Sequence, residues 1–95
     1  MNMKRIYRVV ETPRFKKELA KAEKRGLKIE DFDAVVVMLK KDIPLPAKYR
    51  DHPLSGKFKG YRECHISPDW LIVYKKYKDE LLLLLSRTGT HSDLF

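Results

Sequence analysis

Gly60-Tyr61-Arg62-Glu63-Cys64-His65-Ile66-Ser67-Pro68-Asp69-Trp70-Leu71-Ile72-Val73-Tyr74 is the stretch from which the fold can be read. Residues 60–66 alternate with period 2, which sets Tyr61, Glu63 and His65 on one strand face and Cys64 on the other, where it reads as a small core residue. Ser67-Pro68-Asp69 is a tight turn, and residues 70–74 return as an apolar strand. A second turn at Lys78-Asp79 leads into Leu81-Leu82-Leu83-Leu84-Leu85, a continuous run of the kind found in a strand covered on both faces or hidden by a partner chain. Three antiparallel strands are therefore expected in the second half of the chain.

Toward the N-terminus, periodicity is lost over residues 45–59. Pro46, Pro53, Ser55 and Gly56 mark a long loop there that contains Asp51-His52-Pro53-Leu54, and loops of that length in a small domain tend to be functional. Before the loop, Ile29, Phe32, Val36, Leu39 and Ile43 recur at helical spacing. Glu30, Asp31 and Asp33 complement the start of this helix, Lys40 and Lys41 its end, and Pro44 and Pro46 stop it. An earlier helix carries Phe15, Leu19 and Ala22, with Thr12 as N-cap, Pro13 at the first helical position and Gly26 as the stop. Ile6-Tyr7-Arg8-Val9-Val10 is rich in β-formers. The expected fold is α+β: an N-terminal strand and αα-hairpin packed on a small antiparallel β-sheet, with residues 1–95 as one domain.

Composition narrows the function classes. A chain of 95 residues holds one core, with no room for a large cofactor cavity. At 43% hydrophobic and 36% charged it is too apolar for a disordered basic tail. Twenty-one Lys and Arg against 13 Asp and Glu leave +8, which favours a polyanionic partner: nucleic acid, an anionic membrane surface or an acidic protein. Twelve basic against seven acidic residues before Pro44 leave +5, and nine against six from Pro44 onward leave +3. The helical half is thus expected to serve docking. Cys64 is the single cysteine, which excludes an internal disulfide and points to a reducing compartment. The basic start lacks an apolar signal segment, and no stretch reaches the roughly 18–20 apolar residues of a membrane span. A soluble, unprocessed, cytoplasmic chain with no membrane partner is expected.

The second half holds the chemistry. His52 in the long loop, His65 and Asp69 at a strand end and turn, Arg87 after the leucine run and His91 in the tail suit cleavage of RNA by its own 2′-hydroxyl. A base takes the 2′-OH proton, the oxygen attacks the neighbouring phosphorus in line, an acid protonates the departing 5′-oxygen, and a cation steadies the phosphoryl oxygens. Histidine serves both proton steps at neutral pH, and arginine is a fixed planar cation. The scheme calls for no metal and no cofactor. Each residue also has a plainer reading: surface histidines, a solvated or ion-paired Arg87, a core Trp70, a frayed Phe95 and a packed Tyr61. Whether the groups converge is a tertiary question.

Leu45-Pro46-Ala47-Lys48-Tyr49-Arg50-Asp51-His52-Pro53-Leu54-Ser55-Gly56, then residues 59–70, then Arg87-Thr88-Gly89-Thr90-His91-Ser92-Asp93-Leu94-Phe95, closely resemble the YafQ branch of the RelE/ParE toxin superfamily. The resemblance is dense over residues 44–95 and a matter of pattern before that. It implies a RelE-like fold and the toxin of a type II toxin–antitoxin pair, an endoribonuclease acting on mRNA in translating ribosomes. It also implies silencing by a cognate antitoxin, expected to present an acidic or partly disordered segment. By matching position, His52, His65, Asp69 and His91 correspond to the acid/base and phosphate-contacting group and Arg87 to the transition-state cation. Glu63, Trp70 and Phe95 are expected to bind substrate, the two aromatics holding the mRNA. Glu63 stands where the family commonly has aspartate, and Phe58 where it often has tryptophan. Two rival functions share the fold or the charge: a non-catalytic inhibitor of DNA gyrase like the ParE branch, and a basic module that only holds RNA.

Overall fold

The computed structural model describes residues 6–95; residues 1–5 of the basic start lie outside the described residues. Thr12 closes the first strand, β1 (Arg8–Glu11), and opens the first helix, α1 (Pro13–Lys24). Its hydroxyl accepts the Phe15 N–H and donates to the Ser86 carbonyl, both at 3.0 Å, so the helix cap also ties the helix to a strand far along the chain. Gly26, at φ 87°, turns the chain back into α2 (Ile29–Lys40). Phe32, Val35 and Leu39 form the buried stripe of α2. The helix ends at Lys40, short of the two prolines, because Asp42 adopts a left-handed φ of 58°. Ile43 consequently leaves the stripe and is exposed.

Among the described residues, five strands form one sheet in the order β1-β5-β4-β3-β2. The long loop contributes a two-residue strand, β2 (His52–Pro53), flanked by single 3-10 turns at Ala47–Tyr49 and Gly56–Phe58. The meander β3 (Arg62–Ser67), β4 (Trp70–Tyr77) and β5 (Leu82–Gly89) is antiparallel, and a short α3 (His91–Leu94) closes the chain. The sheet is mixed where a purely antiparallel one was expected. β1 lies parallel to β5, with Arg8 opposite Leu82 and Glu11 opposite Leu85. The expected strand content is present, but strand partners are a matter of topology, and β1 reaches β5 only through the long crossover that parallel pairing requires.

Two clusters cover the two faces of the sheet. The helices bury Phe15, Phe32, Val35 and Leu39 against Cys64, Ile66, Trp70, Ile72, Tyr74, Leu83 and Leu85. On the other face, Leu71, Val73 and Leu94 gather with Leu54, Phe58 and Tyr61. The leucine run is fully buried on the helix side only, at Leu83 and Leu85, while Leu82 and Leu84 are half-buried. Trp70 corrects another expectation. It is 2% exposed, its ring stacks on Phe32 at 6.3 Å, and its Nε1 donates to Thr88 Oγ1 at 2.8 Å. A ring enclosed in this way has no face to offer an RNA base, so Trp70 is a core residue.

One extra residue governs the far end of β5. Tyr74 lies opposite Leu85 and Val73 opposite Arg87, so Ser86 is bulged out of the ladder. Without the bulge, Arg87 would follow Leu83 and Leu85 onto the helix side. With it, Arg87 takes the face of Val73, and Thr88 turns inward beneath Trp70.

The Thr88 hydroxyl accepts from Trp70 and donates to the Leu71 carbonyl at 2.7 Å. Thr88→Val keeps the shape, leaves the buried indole N–H unsatisfied and removes one donor from that carbonyl. The expected cost is about 1–3 kcal/mol in urea denaturation, with no change in slope.

Candidate active site on the open face of the sheet

The register of four strands places His52 opposite Glu63, Glu63 opposite Val73 and Val73 opposite Arg87. Directly opposed residues project to the same face, so this is one row across the side of the sheet that the helices leave open. His65, opposite Leu71, stands in the next row on the same face. With strands about 4.8 Å apart, Glu63 and Arg87 are separated by about 10 Å at the backbone.

Glu63 is the centre of the group. It is 4% exposed, and its Oε1 faces His65 Nε2 at 3.4 Å and His52 Nε2 at 3.7 Å. A buried carboxyl group is costly unless partnered, and two imidazoles stand within ion-pair distance of this one. This position corrects the expectation that Glu63 touches substrate: it is buried beneath the histidines. The His52 side chain is 47% exposed and that of His65 17% exposed, so both rings keep a way out to the surface. His52 Nδ1 donates to the Arg50 carbonyl at 2.6 Å. Because a carbonyl only accepts, Nδ1 carries the proton and Nε2 is the nitrogen turned toward Glu63.

Asp51, which the sequence did not single out, fixes the loop that delivers His52. Arg62 grips its carboxylate with Nε at 3.3 Å and Nη2 at 3.2 Å, and the Tyr74 hydroxyl donates a short hydrogen bond to the same group. Burial, followed by the hydrogen bond to Asp51, pushes the Tyr74 hydroxyl well above its ordinary value of 10 and keeps it a donor. Arg50 holds a left-handed turn at φ 48°, which brings its carbonyl under His52.

Arg87 has its own anchor. Glu18 of α1 receives Nε at 3.0 Å and Nη2 at 2.8 Å, and it also accepts the Thr88 N–H at 3.2 Å. Its ion-paired reading is therefore the one observed, with the guanidinium drawn to the outer rim of β5 and Nη2 at 3.4 Å from the Asp93 carbonyl.

The tail is ordered by a capping box. Thr90 Oγ1 accepts the Asp93 N–H at 3.2 Å, and Asp93 Oδ2 accepts the Thr90 N–H at 3.0 Å and an Arg25 Nη1 donor at 3.1 Å. Leu94 packs on Leu71 and Val73. The box and this contact set α3 on the open face and hold His91 and Phe95 with ring centres 5.2 Å apart. Phe95 meets the Phe58 ring edge-on at 5.4 Å and is 52% exposed. Asp69 is exposed in the turn between β3 and β4. The structure thus joins His52, Glu63 and His65 by contact, aligns Arg87 with them, seats His91 with Phe95 on the same face, and removes Trp70 to the core. Glu18, Arg25, Asp51 and Thr88 are supporting residues whose roles local pattern did not announce, since their partners are 11 to 70 positions away in sequence. Among the described residues, no group of three or more His, Cys, Asp or Glu side chains is arranged to hold a metal ion.

Two predictions test these supports. Asp51→Asn replaces a carboxylate that holds both Arg62 and a buried tyrosine, and should cost about 1–3 kcal/mol in chemical denaturation. The second concerns pH. Asp93 is held down to about 2 from 3.8, first by the Thr90 backbone N–H, then by the Thr90 hydroxyl and Arg25. Its folded value lies below the unfolded one, so its contribution is complete above 3.8 and is lost as pH falls through about 2. The melting-temperature gap between the wild type and Asp93→Asn should be open at pH 5 and closed near pH 2.

The chain is similar to known proteins in sequence and in fold. The chain is 42% identical over 82 residues to the mRNA interferase toxin YafQ of Escherichia coli (strain K12), covering 85% of this chain and 87% of that protein. It superposes on the toxin in the crystal structure of the E. coli DinJ-YafQ toxin-antitoxin complex with a TM-score of 0.84 and 39% identity, over 94% of this chain and 97% of the other. A metal-bound toxin from Helicobacter pylori gives a TM-score of 0.88 at 41% identity, over 95% and 99% of the two chains. The sequence pattern of the bacterial toxin of type II toxin-antitoxin system, YafQ, matches residues 7–95, and the chain belongs to that family.

Proposed function

We propose that this toxin is an endoribonuclease that cuts mRNA on the translating ribosome by in-line attack of the RNA's own 2′-hydroxyl. The observation that carries the reading is the row that runs from His52 through Glu63 to Arg87, with His65 against Glu63 from the next row and His91 and Phe95 on the same open face. Three histidines at one surface supply both a proton acceptor and a proton donor near neutral pH. One ring takes the 2′-OH proton as the oxygen attacks phosphorus. The P–O5′ bond breaks, a second ring protonates the departing oxygen, and a 2′,3′-cyclic phosphate is left.

Arg87 serves as the cation for the phosphoryl oxygens. Its hold on Glu18 uses the same two-pronged geometry that a phosphate offers, so a scissile phosphate takes the place of that carboxylate as the charge builds. Asp69, exposed in the β3–β4 turn beyond His65 and Ser67, contacts the message further along the strand, and Phe95 offers an exposed ring to a base. The excess of basic residues in the helical half holds the chain against ribosomal RNA or an acidic antitoxin. The E. coli relative is seen in a complex with its antitoxin DinJ, which supports a cognate antitoxin for this chain.

Primer extension on a message translated in a purified system tests the reading. Wild type should produce discrete cuts, while Arg87→Ala and His91→Ala should each cut roughly 10²–10⁴-fold more slowly with folding intact. An intact message, alongside growth arrest on expression without antitoxin, would overturn it in favour of a non-catalytic toxin.

A further inference from the structure

A cleft of about 490 Å³ opens beside His65, between α2, the 47–49 turn and the outer rim of β3. It exists because β2 is only two residues long. β2 pairs with Arg62 and Glu63, so no strand covers β3 on that side from Cys64 to Ser67. The volume falls in the range of small-molecule sites, about 300–1,000 Å³.

The chemistry of the walls is mixed. Lys48 and Arg50 bring two cations, and Asp31, in the first turn of α2, brings a carboxylate. Ala34 leaves the floor open, and Ser67 and the bare rim of β3 add polar groups. Arg50 is fixed at its backbone, through its left-handed turn and its carbonyl on His52, so its side chain departs from a set point. Two cations with no anion would suit any phosphate. A carboxylate placed among them repels a bare phosphate and selects a ligand that also carries N–H donors.

His65 belongs to both places. Its Nε2 lies on Glu63 in the row, and its ring forms part of the cleft wall. His65 therefore connects the two, and a strand of RNA held against its ring borders the cleft.

Building on the ribonuclease reading above, we propose that this cleft is a nucleotide subsite for the residue adjoining the scissile phosphate. Lys48 and Arg50 take its phosphate, and Asp31 accepts from the exocyclic amino group of its base. Adenine, cytosine and guanine carry such a group and uracil presents a carbonyl oxygen, so the subsite discriminates against uridine. One good contact of this kind corresponds to roughly tenfold in discrimination.

Cleavage mapping on translated messages that differ only in the bases flanking a cut site tests this. With the wild type, uridine at one flanking position should reduce cutting roughly tenfold relative to the three amino-bearing bases. Asp31→Asn, whose amide can both donate and accept, should narrow that gap to about twofold. Lys48→Gln should raise KM about tenfold without altering base preference. Ala34→Phe, which fills the cleft from an exposed helix position, should slow cutting and erase the base preference of the cutting that remains, and Asp31→Asn and Lys48→Gln carry the test if the substitution disturbs folding. Wild-type cutting with the same preference and KM in the variants overturns the subsite and leaves the ribonuclease reading standing. So does an Ala34→Phe substitution that abolishes antitoxin binding alone, which would make the cleft a peptide site. A wild type that cuts no message overturns both.

Discussion

A carboxyl group buried at Glu63 cannot be left alone, and the open face of this protein is arranged around that requirement. Taking such a group from water costs several kcal/mol unless partners replace the lost hydration. Both partners here are histidines, one on the same strand and one delivered by a loop. The loop must therefore return to the rim of β3, and Asp51 holds it there by gripping Arg62 and Tyr74 from the other face of the sheet. Neighbouring residues in extended backbone point to opposite faces, so the segment entering β2 can anchor through Asp51 and present His52 on the open face.

A second constraint lies at the other end of the row. The Ser86 bulge changes the parity of β5, moving Arg87 to the open face and Thr88 under the indole of Trp70. One inserted residue thus separates a core function from a surface one within a single strand. Glu18 then answers for both neighbours, taking the Arg87 guanidinium and the Thr88 N–H at a strand edge that β1 no longer covers. α3 depends on the same end of the sheet. Its capping box and the seat of Leu94 on Leu71 and Val73 hold His91 and Phe95 near the row, where a frayed tail would not.

Much of this was legible in local pattern. Thr12, Pro13 and Gly26 delimit α1 as their capping chemistry dictates, and alternation over residues 60–66 assigns Glu63 and His65 to one face and Cys64 to the core. The spacing of motifs along residues 44–95 also named most of the residues on the open face. What local pattern missed are facts about partners. Trp70 reads as amphipathic until Phe32 and Thr88 enclose it, and Glu63 reads as a surface carboxylate until two histidines cover it. The left-handed turn at Asp42 ended α2 before the prolines could, and an aspartate does not announce such a turn in advance.

The division has a physical reason. The amino-acid sequence by itself determined everything that depends on neighbours within a few positions: helix caps, the period of each strand, the location of basic charge, and the set of titratable side chains. It also carried the family pattern, because the motif residues are contiguous in short runs. Only tertiary structure decided the parallel pairing of β1 with β5, the turning of Arg87 by the bulge, its anchoring by Glu18, and the convergence of His52 with His65 on Glu63. Those contacts join segments separated by long stretches of chain, and they hold because burial and register leave each of these polar groups one place where it meets a partner.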